Sequence, residues 1–151
     1  MTTQATHFTQ PGKGQAPRIV LYDGFCGLCD SVVLFLLRHD KKNSFRFAPQ
    51  QGQVARQILA RHVLDPATIE TICVIEYYDS PRERVYIKSD ATLRLAQGLG
   101  GIWTLALAGR ALPRIFRDAC YDLVARNRNR IFGRRTECRL PNPADEGKFL
   151  S

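Results

Sequence analysis

From Arg18 onward, short runs of β-branched and aromatic residues alternate with Leu- and Ala-rich stretches, and each run ends at turn-forming residues. This alternation constrains the fold most, because strand runs separated by helical segments build a sheet covered by helices. Ile19-Val20-Leu21-Tyr22 reads as a buried strand closed by Asp23-Gly24. Ser31 to His39 is apolar on nearly every side and predicts a buried helix, ended by Asp40-Lys41-Lys42-Asn43. Phe45-Arg46-Phe47-Ala48 predicts a second strand stopping at Pro49, and the spacing of Val54, Ile58 and Leu59 predicts a helix to His62. Ile72 to Tyr78 and Arg84 to Lys88 predict an antiparallel hairpin, since the connection Asp79-Ser80-Pro81-Arg82-Glu83 is too short for a parallel crossover. Ser89 is expected to N-cap a helix carrying Leu93, Leu95 and Ala96, stopped by Gly98 and Gly100-Gly101. The predicted class is therefore α/β with the order β-α-β-α-β-β-α. Beyond it come an apolar stretch Ile102 to Ala108, a break at Gly109, and a helix from about Pro113 to Arg130. Ile115, Phe116, Ala119, Cys120, Leu123 and Val124 share one apolar face of that last helix.

At 151 residues, 44% hydrophobic and 24% charged, the chain is long enough to bury a core without staples and too short for two full-sized domains. Residues 1–17 are polar and without period, and are expected to form a disordered arm. The domain is expected over 18–138, with 139–151 as a Pro-rich, irregular tail. The N-terminus carries no apolar signal-peptide region, and the longest apolar run, Val32 to Leu37, is far below the roughly 18 residues of a membrane span. A reducing cytoplasmic compartment is expected. Five cysteines, an odd number in such a chain, argue against a secreted disulfide framework.

Asp23-Gly24-Phe25-Cys26-Gly27-Leu28-Cys29 is the most informative local feature. Two cysteines three apart, after a buried strand and at the start of a helix, can bring their sulfurs together on a first helical turn. The free N–H groups and the helix dipole there stabilise a thiolate on the first of them. Cys26 is then the expected nucleophile toward a substrate disulfide, and Cys29, expected to be less exposed and one turn further in, the resolving thiol. Gly27 would let a partner backbone approach, and Phe25 and Leu28 would offer apolar surface around the sulfur. Asp23 reads as a general base for Cys29 or as a cap on the helix N-terminus. No separate cofactor is expected beyond the Cys26–Cys29 disulfide itself.

Cys73, within a strand, and Cys120, on the apolar helix face, are expected to be small buried hydrophobes. Cys138 lies among arginines that favour a thiolate. Zinc binding through Cys26, Cys29 and Cys138 is an alternative, but no second Cys-x-x-C or Cys/His pair at knuckle spacing supports it, so no metal ligand is assigned. The net charge of +8 is concentrated at the C-terminal end, where Arg126, Arg128, Arg130, Arg134, Arg135 and Arg139 face only Glu137. A solvated helix end, or a surface for RNA, an acidic partner or anionic lipid, are the readings open there, and no RNA-binding signature accompanies the arginines. A redox-sensing or partner-binding module built on this helix is the second functional reading. His7, His39 and His62 are scattered and read as surface residues, and Trp103 and Tyr77-Tyr78 as core or core-edge aromatics.

Tyr22 to Cys29, together with Tyr121-Asp122-Leu123-Val124-Ala125-Arg126-Asn127-Arg128 and the following Gly133 and Cys138, resembles the two signatures of the DCC family of thiol-disulfide oxidoreductases. The resemblance covers roughly Arg18 to Cys138. It implies a thioredoxin-like three-layer sandwich with additional C-terminal helices, in a small bacterial-type redox protein. Its site would be Asp23, Cys26 and Cys29, with Arg126, Asn127 and Arg128 near the thiols to bind substrate. It further implies a protein or small-molecule disulfide or dithiol as substrate and an upstream reductase as partner. Thioredoxins place a cis-proline just before the third strand; here Glu70-Thr71 holds that place, and Pro66 lies too early.

Overall fold

The computed structural model describes residues 17–65, 69, 72–134 and 142–150. Strand β1 (Arg18–Tyr22) leads into α1 (Gly27–His39), β2 (Phe45–Pro49), α2 (Gln53–Arg61), β3 (Cys73–Glu76), β4 (Arg84–Ile87) and α3 (Lys88–Leu99). A 3-10 helix, Gly101–Ala111, and a long α4 (Arg114–Phe132) follow. The sheet order is β2-β1-β3-β4. Strand β1 pairs parallel with β2 and antiparallel with β3, and β3 pairs antiparallel with β4. The parallel pair needs a long crossover, which α1 supplies; the β3–β4 pair is the predicted hairpin. This is the expected α/β order, compatible with a thioredoxin-like fold.

Alternation along the strands divides the core in two. Ile19, Leu21, Cys73 and Ile75 meet Ala55, Ile58 and Leu59 of α2 on one face. Val20, Tyr22, Phe45, Phe47 and Val74 meet Val33 and Leu36 of α1 and Leu95 of α3 on the other. Because helices cover both faces, β1 reads as an unbroken apolar run rather than an alternating one. Each fully buried side chain of this size contributes about 1.5–3 kcal/mol, so the six-residue sheet centre of Ile19, Val20, Leu21, Phe47, Val74 and Ile75, all fully buried, anchors everything around it.

Several elements differ from expectation. Helix α1 starts at Gly27, not Ser31, so the dithiol segment belongs to it. Ser89 lies inside the first turn of α3 and its hydroxyl donates to the Asp118 carboxylate instead of capping the helix. Gly98 does not stop α3; a Cβ there would collide with the Phe45 ring, and Gly100, at φ 68°, ends the helix. β3 ends at Glu76, which leaves Tyr77 exposed in the turn rather than at the core. His62 is half-buried and hydrogen-bonds Glu83 at 2.9 Å, so it is not a bare surface residue.

The largest difference concerns α4. Its apolar face, Ile115, Phe116, Cys120 and Leu123, points to solvent, with Val124 at its edge only half-exposed, and its one buried side chain is Arg128. Cys120 is therefore exposed, while Cys73 is buried as expected. Charge pairs decide the orientation: Asp90 of α3 receives Arg117 at 3.2 Å and Arg114 at 3.4 Å, and Lys88 reaches Asp122 at 3.1 Å. The expected disordered arm lies almost wholly outside the described residues. Within the expected irregular tail, residues 142–150 carry only a short 3-10 turn, Glu146–Lys148, yet Phe149 is anchored. Its ring stacks 5.4 Å from Phe47, and the Leu150 amide donates to the Phe47 carbonyl at 2.7 Å.

Candidate active site

The dithiol sits where β1 hands over to α1. The Asp23 carbonyl accepts the Cys26 amide at 3.2 Å, and the Asp23 carboxylate accepts the Phe25 amide at 3.0 Å and the Gln51 side-chain amide at 3.1 Å. Asp23 thus shapes the turn; its carboxylate neither caps α1 nor meets Cys29 in a hydrogen bond. Cys26 is the N-cap of α1, in extended conformation at φ −90° and ψ 120°, and Cys29 lies in the first turn, so the two cysteines approach to 3.5 Å.

Both thiols are buried, Cys26 at 2% exposure and Cys29 at 3%, which corrects the expectation that Cys26 is the more open of the two. The chain's own backbone covers Cys26. Cys26 forms an isolated antiparallel bridge with Arg134, and the Gly27 amide donates to the Gly133 carbonyl at 3.3 Å. A Cβ on Gly27 would overlap the Phe132 carbonyl oxygen. The close approach predicted at Gly27 is therefore made by the end of α4.

The pair is electrostatically split. The Cys26 thiol is pulled down from 9.0 to about 6, first by the hydrogen bond that Cys29 donates to it, against the opposing cost of burial. No capping hydrogen bond of ordinary length reaches Cys26, but the free amides of Cys29 and Leu28 and the positive charge of Arg128 also favour its thiolate. Cys29 is pushed up because its proton is held by the Cys26 sulfur, and burial and the Cys26 charge add to this. Protons are thus sorted onto Cys29 and negative charge onto Cys26.

Against Cys29 lies an apolar cavity of about 120 Å³, lined by Leu28, Val32, Leu95, Tyr121 and Val124, with Arg128 as its one charged wall. Burial raises the Tyr121 hydroxyl to about 12, so it stays neutral. Of the basic residues tied to the site by sequence, only Arg128 reaches it. Arg126 is exposed, and Asn127 turns back to donate to the Leu123 carbonyl at 2.8 Å. Phe25 and Leu28 are half-buried around the thiols. Tyr121, Gln51 and the Gly133–Arg134 backbone were not expected at the site. Tyr121 stands seven residues before Arg128, two turns on one helix face, which is the spacing that could have revealed it.

Cys138, Pro66, Glu70 and Thr71 lie outside the described residues, as do Arg135, Glu137 and Arg139. Among the described residues, no group of three His, Cys, Asp or Glu side chains is placed to hold a metal ion, and no helix is long and apolar enough to cross a membrane.

A family model described as DCC1-like thiol-disulfide oxidoreductase matches residues 20–134. The chain is 32% identical over 133 residues to the uncharacterized protein YuxK of Bacillus subtilis, covering 88% of this chain and 93% of that one. It is 34% identical over 123 residues to a DCC family protein of Arabidopsis thaliana described as chloroplastic, covering 81% and 69% respectively. No solved structure matches.

Proposed function

Because the chain belongs to the DCC1-like thiol-disulfide oxidoreductase family, we propose that it exchanges disulfides through Cys26 as nucleophile and Cys29 as resolving thiol. The observation that carries this reading is the opposite displacement of two thiols 3.5 Å apart, with Cys26 lowered to about 6. At neutral pH the Cys26 thiolate attacks one sulfur of a substrate disulfide. A mixed disulfide forms, and the substrate's other sulfur leaves as a thiolate that takes a proton from water. Cys26 then no longer carries negative charge, so the interaction that held the proton on Cys29 disappears. With Arg128 favouring its thiolate, Cys29 loses that proton to water and attacks Cys26. The Cys26–Cys29 disulfide forms and the second substrate thiolate departs, leaving the substrate reduced by two electrons and the protein oxidised by two. An upstream dithiol reductant restores the pair, and in reverse the same steps oxidise a dithiol.

In this reading Asp23 acts by position: through Phe25 and Gln51 it holds the turn that presents Cys26. Phe25 and Leu28 supply apolar contact, Gly27 admits backbone, and Arg128 supplies the positive charge beside the thiols where substrate is bound. Substrate reaches Cys26 past the Gly133–Arg134 backbone, whose bridge it replaces. The compartment is a reducing cytoplasm. The test is a Cys29→Ser variant incubated with a model protein disulfide: a mixed disulfide through Cys26 accumulates, and its absence while Cys26 remains alkylatable contradicts the assignment.

A further inference from the structure

Most of the exposed large hydrophobic residues among the described ones lie on the 3-10 helix and α4. Ile102 (73% exposed), Leu105 (71%) and Leu112 lead directly into Ile115 (81%), Phe116 and Leu123. Large contiguous exposed patches of this kind mark interaction sites. The charges on the same surface are mostly positive. Residues 101–117 contain no Asp or Glu, and the two acidic residues of α4 are engaged by basic partners, Asp118 by Arg114 and the part-exposed Asp122 by Lys88. Outward stand Arg110, Arg126 and Arg130, all exposed.

From this combination we propose that the outer face of the 3-10 helix and α4 docks on an anionic lipid surface. Apolar side chains flanked by an excess of arginines fit a bilayer whose headgroups are negative and whose interior is apolar. A second copy of the chain fits poorly. A twofold contact would set the same patch against itself, bringing Arg110, Arg126 and Arg130 toward their own equivalents, while the part-exposed carboxylate nearby, Asp122, is already engaged by Lys88. The docking is peripheral and independent of the dithiol chemistry. Arg128, on the opposite side of α4, takes no part in it.

Trp103, the sole tryptophan, lies on the 3-10 helix, half in contact with Phe35 at 4.9 Å, and reports on this face. The test is co-sedimentation with phosphatidylcholine vesicles containing or lacking phosphatidylglycerol, together with Trp103 emission. The full chain is expected to bind the phosphatidylglycerol vesicles with a blue shift, and pure phosphatidylcholine at least about tenfold more weakly. Arg126→Gln and Arg130→Gln should each weaken binding about fivefold, and the double variant Ile115→Ser/Phe116→Ser by at least about tenfold. These side chains are exposed, so an unchanged melting temperature certifies folding, and a Cys26→Ser/Cys29→Ser protein should bind as the parent does. Three results overturn the proposal. They are failure to bind phosphatidylglycerol vesicles, equal binding to both vesicle types, and a vesicle-free dimer that Ile115→Ser/Phe116→Ser dissolves, which would give the face to a second copy.

Discussion

The two faces of α4 follow opposite rules. Its inner face is polar: Arg114, Arg117, Asp118 and Asp122 engage α3 and its start, and Arg128 is buried beside the thiols. Its outer face is the apolar stripe that sequence periodicity would have sent to the core. An apolar stripe fixes only which residues share a side of a helix. Which side turns inward is decided by what the neighbours offer, and here α3 offers Asp90 and Ser89 while the dithiol offers a thiolate. Each pair at a part-exposed position contributes about 0–1 kcal/mol, so a set of several, together with the backbone contacts at Gly27, sets the orientation.

That contrast is testable by asking whether a substitution is felt at Cys26. The largest effect is expected from Cys29→Ala, which removes the hydrogen bond holding the thiolate. A bond to a charged group is worth about 1.5–3 kcal/mol, so Cys26 alkylation at pH 6 should slow roughly ten- to hundredfold. Next comes the pH dependence of the reduced protein's stability. Between about pH 6 and 9 the unfolded chain holds the Cys26 proton and the folded chain does not. Stability therefore rises with pH across that window, by at most ~1.4 kcal/mol per pH unit, and is lost as pH falls through about 6. Above pH 9 the raised Cys29 keeps its proton when folded and loses it when unfolded, so stability falls again. Denaturant titration should show a maximum near pH 9 for the dithiol and none of this dependence for the disulfide form.

Arg128→Gln is expected to slow Cys26 alkylation at pH 6 by roughly fivefold, the size of a ~1 kcal/mol charge contact, with the midpoint moving upward. Arg128→Lys should restore it, which a purely structural role would not require. The smallest effect belongs to the outer face. Ile115→Ser/Phe116→Ser should leave Cys26 reactivity unchanged and stability within about 0.5 kcal/mol. A large loss of stability in that variant, measured by denaturant titration, would break the comparison by showing the stripe to be packed.

The sheet was legible because period and turn chemistry are local. Ile19 to Tyr22, Phe45 to Ala48 and the β3–β4 hairpin announced themselves, and Cys26 and Cys29 stood where a strand meets a helix. The orientation of α4 was not legible, because it depends on Asp90 and Lys88, more than twenty residues from their partners in sequence. For the same reason the covering of Cys26 by Gly133–Arg134 is not legible in the sequence, where Gly27 reads as an opening for a partner backbone. Only the spacing of Tyr121 and Arg128 held a local hint that the inner face of α4 serves the thiols.

The central claim is that Cys26 is a thiolate held ready by Cys29. The most direct measurement is the pH profile of iodoacetamide incorporation at Cys26 in the fully reduced protein, resolved from the other cysteines by peptide mass analysis. Because burial slows the absolute rate, the midpoint is the quantity that decides. The account predicts a midpoint near 6; a midpoint near 9, the value of an ordinary thiol, would contradict it.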